Sequence, residues 1–223
     1  MKEERIKRTY GRRLARPLKQ SATQLVDSLL PKLEIQLPAE GQLDVGKLFE
    51  RNAPLHLEIG FGGGEHLAAR AEANPDINFI GCEPFINGIA SFLGYVDAKK
   101  LQNVRVFASN ALELLATIPD EKIERIYVLF ADPWPKKRHH KRRLICNEVL
   151  DIFHAKLAKN GRLFIVSDHT DYMGWILKHM ESRKDFLEEL NSLEKPSDWP
   201  DTRYEQKAIR EGRIPRYLTY KNS

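Results

Sequence analysis

The chain has 223 residues, 42% of them apolar and 9% aromatic, enough to bury the core of one domain. No apolar run approaches the roughly eighteen residues of a membrane span, and the N-terminal segment lacks the apolar stretch of a secretory leader. The net charge of +5 is unevenly spread: residues 1–19 hold eight Lys/Arg against two Glu, and residues 136–143 hold six Lys/Arg, two His and no acid. Such clustering is the electrostatic footprint of a polyanion partner, with a solvated basic face as the plain alternative. Cys82 and Cys146 are far apart in sequence and read as packed, reduced thiols of a cytosolic protein.

In chain order, residues 1–20 carry too few apolar groups to offset the entropy of ordering and are expected to be flexible. A short helix is predicted over 23–30, ended by Pro31, and Pro38, Gly41 and Gly46 punctuate a linker. Residues 1–50 are thus expected as a basic, partly flexible N-terminal extension and 51–223 as the main domain. From Leu55 short apolar runs alternate with helical stretches. Strands are predicted over 55–59, 78–83, 104–109, 125–132 and 162–168, with helices over 65–73, 86–101, 111–118 and 143–157, the last stopped by Lys159-Asn160-Gly161. A helix over 172–180, a strand over 186–190, a helix over 204–210 and a strand over 216–220 complete the pattern. It predicts a doubly wound α/β fold with a mostly parallel seven-stranded sheet buried on both faces. In such sheets ligands bind outside the carboxyl ends of the strands.

Those ends read Glu58-Ile59-Gly60, Glu83, Asn110, Asp132 and Asp168. EIGFGGGEHL (58–67) is a glycine turn in which Gly60, Gly62 and Gly64 let the backbone pass close to a ligand. It is not a dinucleotide fingerprint, because Glu65 stands where the last glycine would be and opposes a pyrophosphate at the helix start; nor is it a P-loop. What remains is a turn against a ligand without phosphate, where Glu58 would attract a cationic group such as the sulfonium or amino group of S-adenosylmethionine. Glu83 suits a carboxylate accepting from both ribose hydroxyls, a role that nicotinamide cofactors share. Asn110 reads either as a contact to an adenine edge or as the N-cap of the next helix.

DPWPKKRHHKRR (132–143) joins a lone carboxylate to the basic run. Pro133 and Pro135 restrict the backbone around Trp134, whose indole either stacks on a base or packs structurally. His139 and His140 read as hydrogen-bonding or phosphate-facing groups; without a second cluster at ligand spacing, no metal is expected. Arg142 and Arg143 are expected to open the helix over 143–157, tethering the run at both ends, which argues against a localisation tag.

The combination LEIGFGGG, GCEPF, SNA, VLFADPWPKKRHHKRR and DWPDTRYEQKA, with RTYGRR near the N-terminus, resembles the bacterial tRNA (guanine-N7-)-methyltransferases over essentially the whole chain. The resemblance implies a class I, Rossmann-like, S-adenosylmethionine-dependent methyltransferase, cytoplasmic, monomeric or homodimeric, acting on tRNA. It implies cofactor contacts from Glu58, Gly60, Gly62, Glu83, Asn110 and Asp132, with Asp132 the active-site carboxylate. It further implies substrate contacts from Lys136, Asp168, Thr202, Arg203, Tyr204 and Glu205, and RNA contacts from Arg138, His139, His140, Lys141, Arg142 and Arg143. The implied product is N7-methylguanosine at position 46 of the variable loop. Asn110 stands where many relatives have Asp, Ala131 where many have Pro, and Pro135 where some have His. The residues agree with such chemistry: guanine N7 carries a free lone pair, so its methylation needs positioning rather than a general base, and a carboxylate would stabilise the charge that develops on the ring. A non-catalytic RNA-binding module on the same fold is the second reading, disfavoured by acids beside a phosphate-binding surface; a nicotinamide-dependent oxidoreductase is the third, opposed by Glu65 and the basic clusters.

Overall fold

A computed structural model describes residues 17–223. The RTYGRR segment and most of the stretch expected to be flexible lie outside the described residues.

Strands β1 (Leu55–Ile59), β2 (Asn78–Cys82), β3 (Val104–Phe107), β4 (Ile123–Leu129), β5 (Leu157–Ser167), β6 (Phe186–Ser192) and β7 (Arg216–Asn222) form one sheet in the order β3-β2-β1-β4-β5-β7-β6. The first five are parallel; β7 runs antiparallel between β5 and β6. Every residue of β1 and β2 is buried, as a central strand covered on both faces requires. The period of two sorts neighbours to opposite faces. Ile126 and Val128 enter a core under the helices α3 (Val45–Phe49), α6 (Ala111–Leu115), α7 (Asn147–Lys156) and α8 (Thr170–Glu181). Tyr127 and Leu129 enter a smaller cluster closed by Trp199. A third core lies under α1 (Gln20–Ser28), α2 (Leu30–Leu33), α4 (Glu65–Ala73) and α5 (Ile86–Lys99).

Residues 30–50 are built into the domain rather than appended to it. Leu30 and Leu33 join the core under α5, while Ile35, Leu43, Val45 and Phe49 join the core on the other face. Glu34 bridges to β3, and the Ile35 N–H donates to the Val106 carbonyl at 2.8 Å. Pro31 does not merely stop α1; it opens α2, where its missing N–H costs nothing. Gly46, expected in a linker, sits inside α3, whose N-cap Asp44 accepts from the Lys47 N–H at 3.0 Å.

Arg142 and Arg143 do not open the helix expected over 143–157. Lys137–Arg142 form a 3-10 helix, Arg143 is extended (ψ 132°), and α7 begins only at Asn147. The apolar stripe that holds α7 down starts at Val149. Lys159-Asn160-Gly161 is not a helix stop either: α7 ends at Lys156, and the three residues lie in β5, with Asn160 at φ +64° beside a register shift against β4.

Candidate active site

The order of strands reverses between β1 and β4, and the turns leaving β1, β2, β3, β4 and β5 meet at that edge. The turn after β1 carries Gly60 at φ +71°, with open space where a Cβ would be. Gly62 follows at φ +56°, and a Cβ there would lie 2.6 Å from the Tyr204 ring. Only glycine reconciles these torsions with so close a neighbour.

Glu83, directly after β2, is 8% exposed. One carboxylate oxygen accepts from the Gly62 N–H at 2.9 Å and the other from the Phe85 N–H at 3.0 Å. Burial raises its pKa, the two N–H bonds oppose that, and the neighbouring Asp132 and Glu58 carboxylates raise it further. Asp132 lies three residues past β4 in a loop bracketed by left-handed Phe130 (φ +52°) and Trp134 (φ +43°). It is exposed at the mouth of the site, yet the protein around it holds its pKa above the ordinary carboxylate range by desolvation. Among the described residues it has no ion-pair partner.

Glu58 points beneath the glycine turn, 3% exposed, 2.7 Å from Nδ1 of buried His66 on α4. Arg70 Nε faces the other ring nitrogen at 3.4 Å. Because a guanidinium only donates, Nε2 is the acceptor and Nδ1–H donates to Glu58. His66 was not legible as a site residue; its only signal was a polar ring on the inward face of α4.

Asn110 is the N-cap of α6, its side-chain oxygen accepting from the Leu112 N–H at 3.1 Å. Asp168, directly after β5, accepts from Arg213 at 2.6 Å. The segment Thr202–Glu205 divides. Thr202 caps α9 (Arg203–Arg210) by accepting from the Glu205 N–H at 3.1 Å. Glu205 is 2% exposed, bonded to Lys195 at 2.8 Å and to the Tyr217 hydroxyl. Both are engaged within the protein. Tyr204 and Arg203 instead lie across the glycine turn, Arg203 paired with Glu65 and bonded to Ser91 at 3.0 Å. Desolvation raises the Tyr204 phenol; Glu83, Glu65 and Asp132 add to it, and Arg203 opposes them.

Beyond Asp132, Lys136, Lys137, Arg138 and Lys141 are exposed, and His139 and His140 half-buried. Desolvation and the surrounding cations, Arg142 foremost, hold His139 below its usual pKa. Arg142 lies 4.9 Å over the Trp134 ring and His139 stands edge-on to it at 5.8 Å, so this indole anchors the basic helix to the Asp132 loop. Arg143 contradicts its expected RNA contact. It is 1% exposed, donates to the Pro133 carbonyl at 2.9 Å, and pairs with Asp171. A guanidinium so enclosed is out of reach of a phosphate. Among the described residues no three His, Cys, Asp or Glu side chains gather as a metal would need, and no helix is long and apolar enough to cross a membrane.

A strand order that reverses over a glycine turn, with Glu83 after β2 and Asp132 after β4, places the chain among the doubly wound α/β proteins whose ligands sit at the switch point. The solved structure of the 16S rRNA methyltransferase KamB aligns with a TM-score of 0.58 at 15% identity, covering 82% of this chain and 95% of that one. An antibiotic-related methyltransferase aligns at 0.55 and 18%, covering 87% and 98%; both likenesses concern the fold. The family model described as "Putative methyltransferase" matches residues 52–215. A protein of Paramagnetospirillum magneticum named tRNA (guanine-N(7)-)-methyltransferase is 44% identical over 220 residues, 96% of this chain and 92% of the relative. One of the same name from Novosphingobium aromaticivorans is 45% identical over 213 residues, 91% and 89%. The chain belongs to the tRNA (guanine-N(7)-)-methyltransferase family.

Proposed function

We propose that this protein transfers the methyl group of S-adenosylmethionine to N7 of a guanosine in tRNA, at position 46 of the variable loop. The observation that carries the reading is a juxtaposition. Glu58, Glu83 and Asp132 form a partly desolvated acidic cluster, and five residues past Asp132 an exposed basic helix begins. A site that attracts a cation beside a surface that attracts a polyanion fits a sulfonium donor and a nucleic-acid acceptor.

The residues present fit the cofactor. Among the described residues Glu83 gathers no cationic side chain; two backbone N–H groups hold its oxygens, which leaves its carboxylate suited to a ribose diol. The open space over Gly60 admits a ligand against the backbone, and the Glu58 carboxylate, hydrogen-bonded by His66, lies beneath it. When bound, S-adenosylmethionine supplies an electrophilic methyl group. Asp132 then does the chain's own work: its carboxylate faces the purine as positive charge develops there, and costs no reorganisation because the loop is already set. Tyr204 and Arg203 cover the glycine turn and keep water out. Asp168 and Lys136 are assigned to the guanosine edge and its phosphate; Lys137, Arg138, His139, His140, Lys141 and Arg142 hold the RNA. Asn110 combines the cap of α6 with a contact to the adenine, and Thr202 and Glu205 act by holding α9 in place.

The test is incubation of the protein with labelled S-adenosylmethionine and unmodified tRNA, followed by borohydride and aniline cleavage. Strand scission at one variable-loop guanosine is expected. Label on another base or another atom, or cofactor binding without transfer, would reject the reading.

A further inference from the structure

Six cations stand in the run 136–143, but one of them faces inward. Arg143 is the largest side chain among those enclosed almost completely, at 1% exposure. Its guanidinium lies 5.3 Å from the Tyr172 ring and 5.1 Å from the Trp175 ring, both on α8. Asp171, one residue before Tyr172, pairs with one end of the fork; the other end donates to the Pro133 carbonyl at 2.9 Å. The residues after Arg143 are pinned to the same helix: Tyr172 Oη accepts from the Ile145 N–H at 3.2 Å, and Trp175 Nε1 donates to the Ile145 carbonyl at 2.7 Å. The loop so gripped needs gripping. Phe130 and Trp134, both bulky, take left-handed torsions on either side of Asp132, which cost energy and persist only where surroundings over-determine them.

We propose that Arg143 is a positioning residue for methyl transfer: held by Asp171, Tyr172 and Trp175, it clamps the Pro133 carbonyl and so fixes where the Asp132 carboxylate stands. The role rests on the proposed function and deepens it, splitting the basic run into an inward clamp and an outward RNA grip of Lys137, Arg138 and Lys141. Only arginine serves. Its rigid fork bridges a carbonyl and a carboxylate while its faces rest on aromatic rings, and a lysine would reach one partner at a time.

The experiment compares wild type with Arg143→Lys and Asp171→Asn. It measures single-turnover transfer at saturating cofactor and tRNA, cofactor affinity, and tRNA affinity as a function of salt. Arg143→Lys is expected to slow transfer about 10- to 100-fold, the scale of a displacement near 1 Å at a reacting group. Affinity for tRNA should stay within about twofold of wild type and its salt slope should not change. Asp171→Asn removes the charge at a side chain more than half exposed but keeps an oxygen that can accept from the Arg143 fork; it is expected to slow transfer in the same sense by a smaller factor, and keeps the test decisive if Arg143→Lys does not fold. In an Asp132→Asn background Arg143→Lys should cost little, since both act at one carboxylate. A fall in tRNA affinity with a salt slope shallower by about one, unchanged transfer rates, or fully additive losses with Asp132→Asn would each overturn the clamp. Wild-type protein that leaves unmodified tRNA unmethylated would instead reject the proposed function, and this role with it.

Discussion

Glu83 carries the most testable single side chain of the cofactor site. Its two oxygens are each matched to a backbone N–H, so Glu83→Gln would turn an amide N–H₂ toward a buried donor and leave one N–H unsatisfied, a cost of about 1–3 kcal/mol. S-adenosylmethionine affinity should fall at least tenfold by calorimetry; an affinity within twofold of wild type would remove Glu83 from the site. Protonation should act in the same direction. Because burial raises its pKa, any stability this group contributes is full below the ordinary carboxylate pKa and lost as pH rises through the elevated one. A cationic ligand favours the ionised form, so cofactor affinity should weaken on acidification toward that elevated pKa. The weakening should be absent in Glu83→Gln; a wild-type affinity constant between pH 8 and 5 would contradict it.

At the scale of elements, α9 reaches back across the sheet edge to close on a turn some 140 residues earlier in sequence, through Arg203–Glu65 and the Tyr204 ring over Gly62. Gly62→Ala meets this contact twice, through its positive φ and through a methyl group 2.6 Å from the ring. The start of α9 should lift away, and cofactor affinity should fall about tenfold or more. Adding Tyr204→Ala should restore only the steric part, and a single Ala variant with wild-type affinity would show that α9 does not seal the turn. The sheet and its polar strand ends were legible because short apolar runs at regular intervals, most of them ended by a glycine or a carboxylate, admit few other arrangements. The glycine turn was legible for the same reason, although Glu65 was read only as hostile to a phosphate and is in fact the seat of Arg203. α3 escaped because five residues are shorter than any periodic signal. The inward turn of Arg143 escaped because five cationic neighbours give the run one uniform character, and the partner that draws it in, Asp171, lies 28 residues further on in another helix.

At the scale of the whole molecule, one buried group ties the fold to pH without touching the chemistry. His56 lies in the β1 strand at 3% exposure; among the described residues neither ring nitrogen has a hydrogen-bond partner, the Glu124 carboxylate standing 4.0 Å from Nε2. Desolvation, with Arg125, Arg70 and His66 adding repulsion, pushes its pKa down to about 3. The folded chain therefore keeps the ring neutral while the unfolded chain takes up a proton below about 6.5. Stability present above pH 6.5 is lost as pH falls toward 3, at up to about 1.4 kcal/mol per pH unit from this group alone. His56→Phe keeps the ring that packs edge-on against Phe79 at 5.1 Å and beside Tyr127 at 5.9 Å, and removes two orphaned nitrogens. It should stabilise the protein at pH 7 by about 1 kcal/mol and flatten the decline between pH 6 and 4 by about the slope of one proton. Asp171 and Asp185, held below their usual pKa by Arg143 and Arg183, add their own acid-side loss to both proteins, so the difference between the two denaturation curves isolates His56. Parallel curves would mean that the ring is protonated in the fold, against the desolvation that surrounds it.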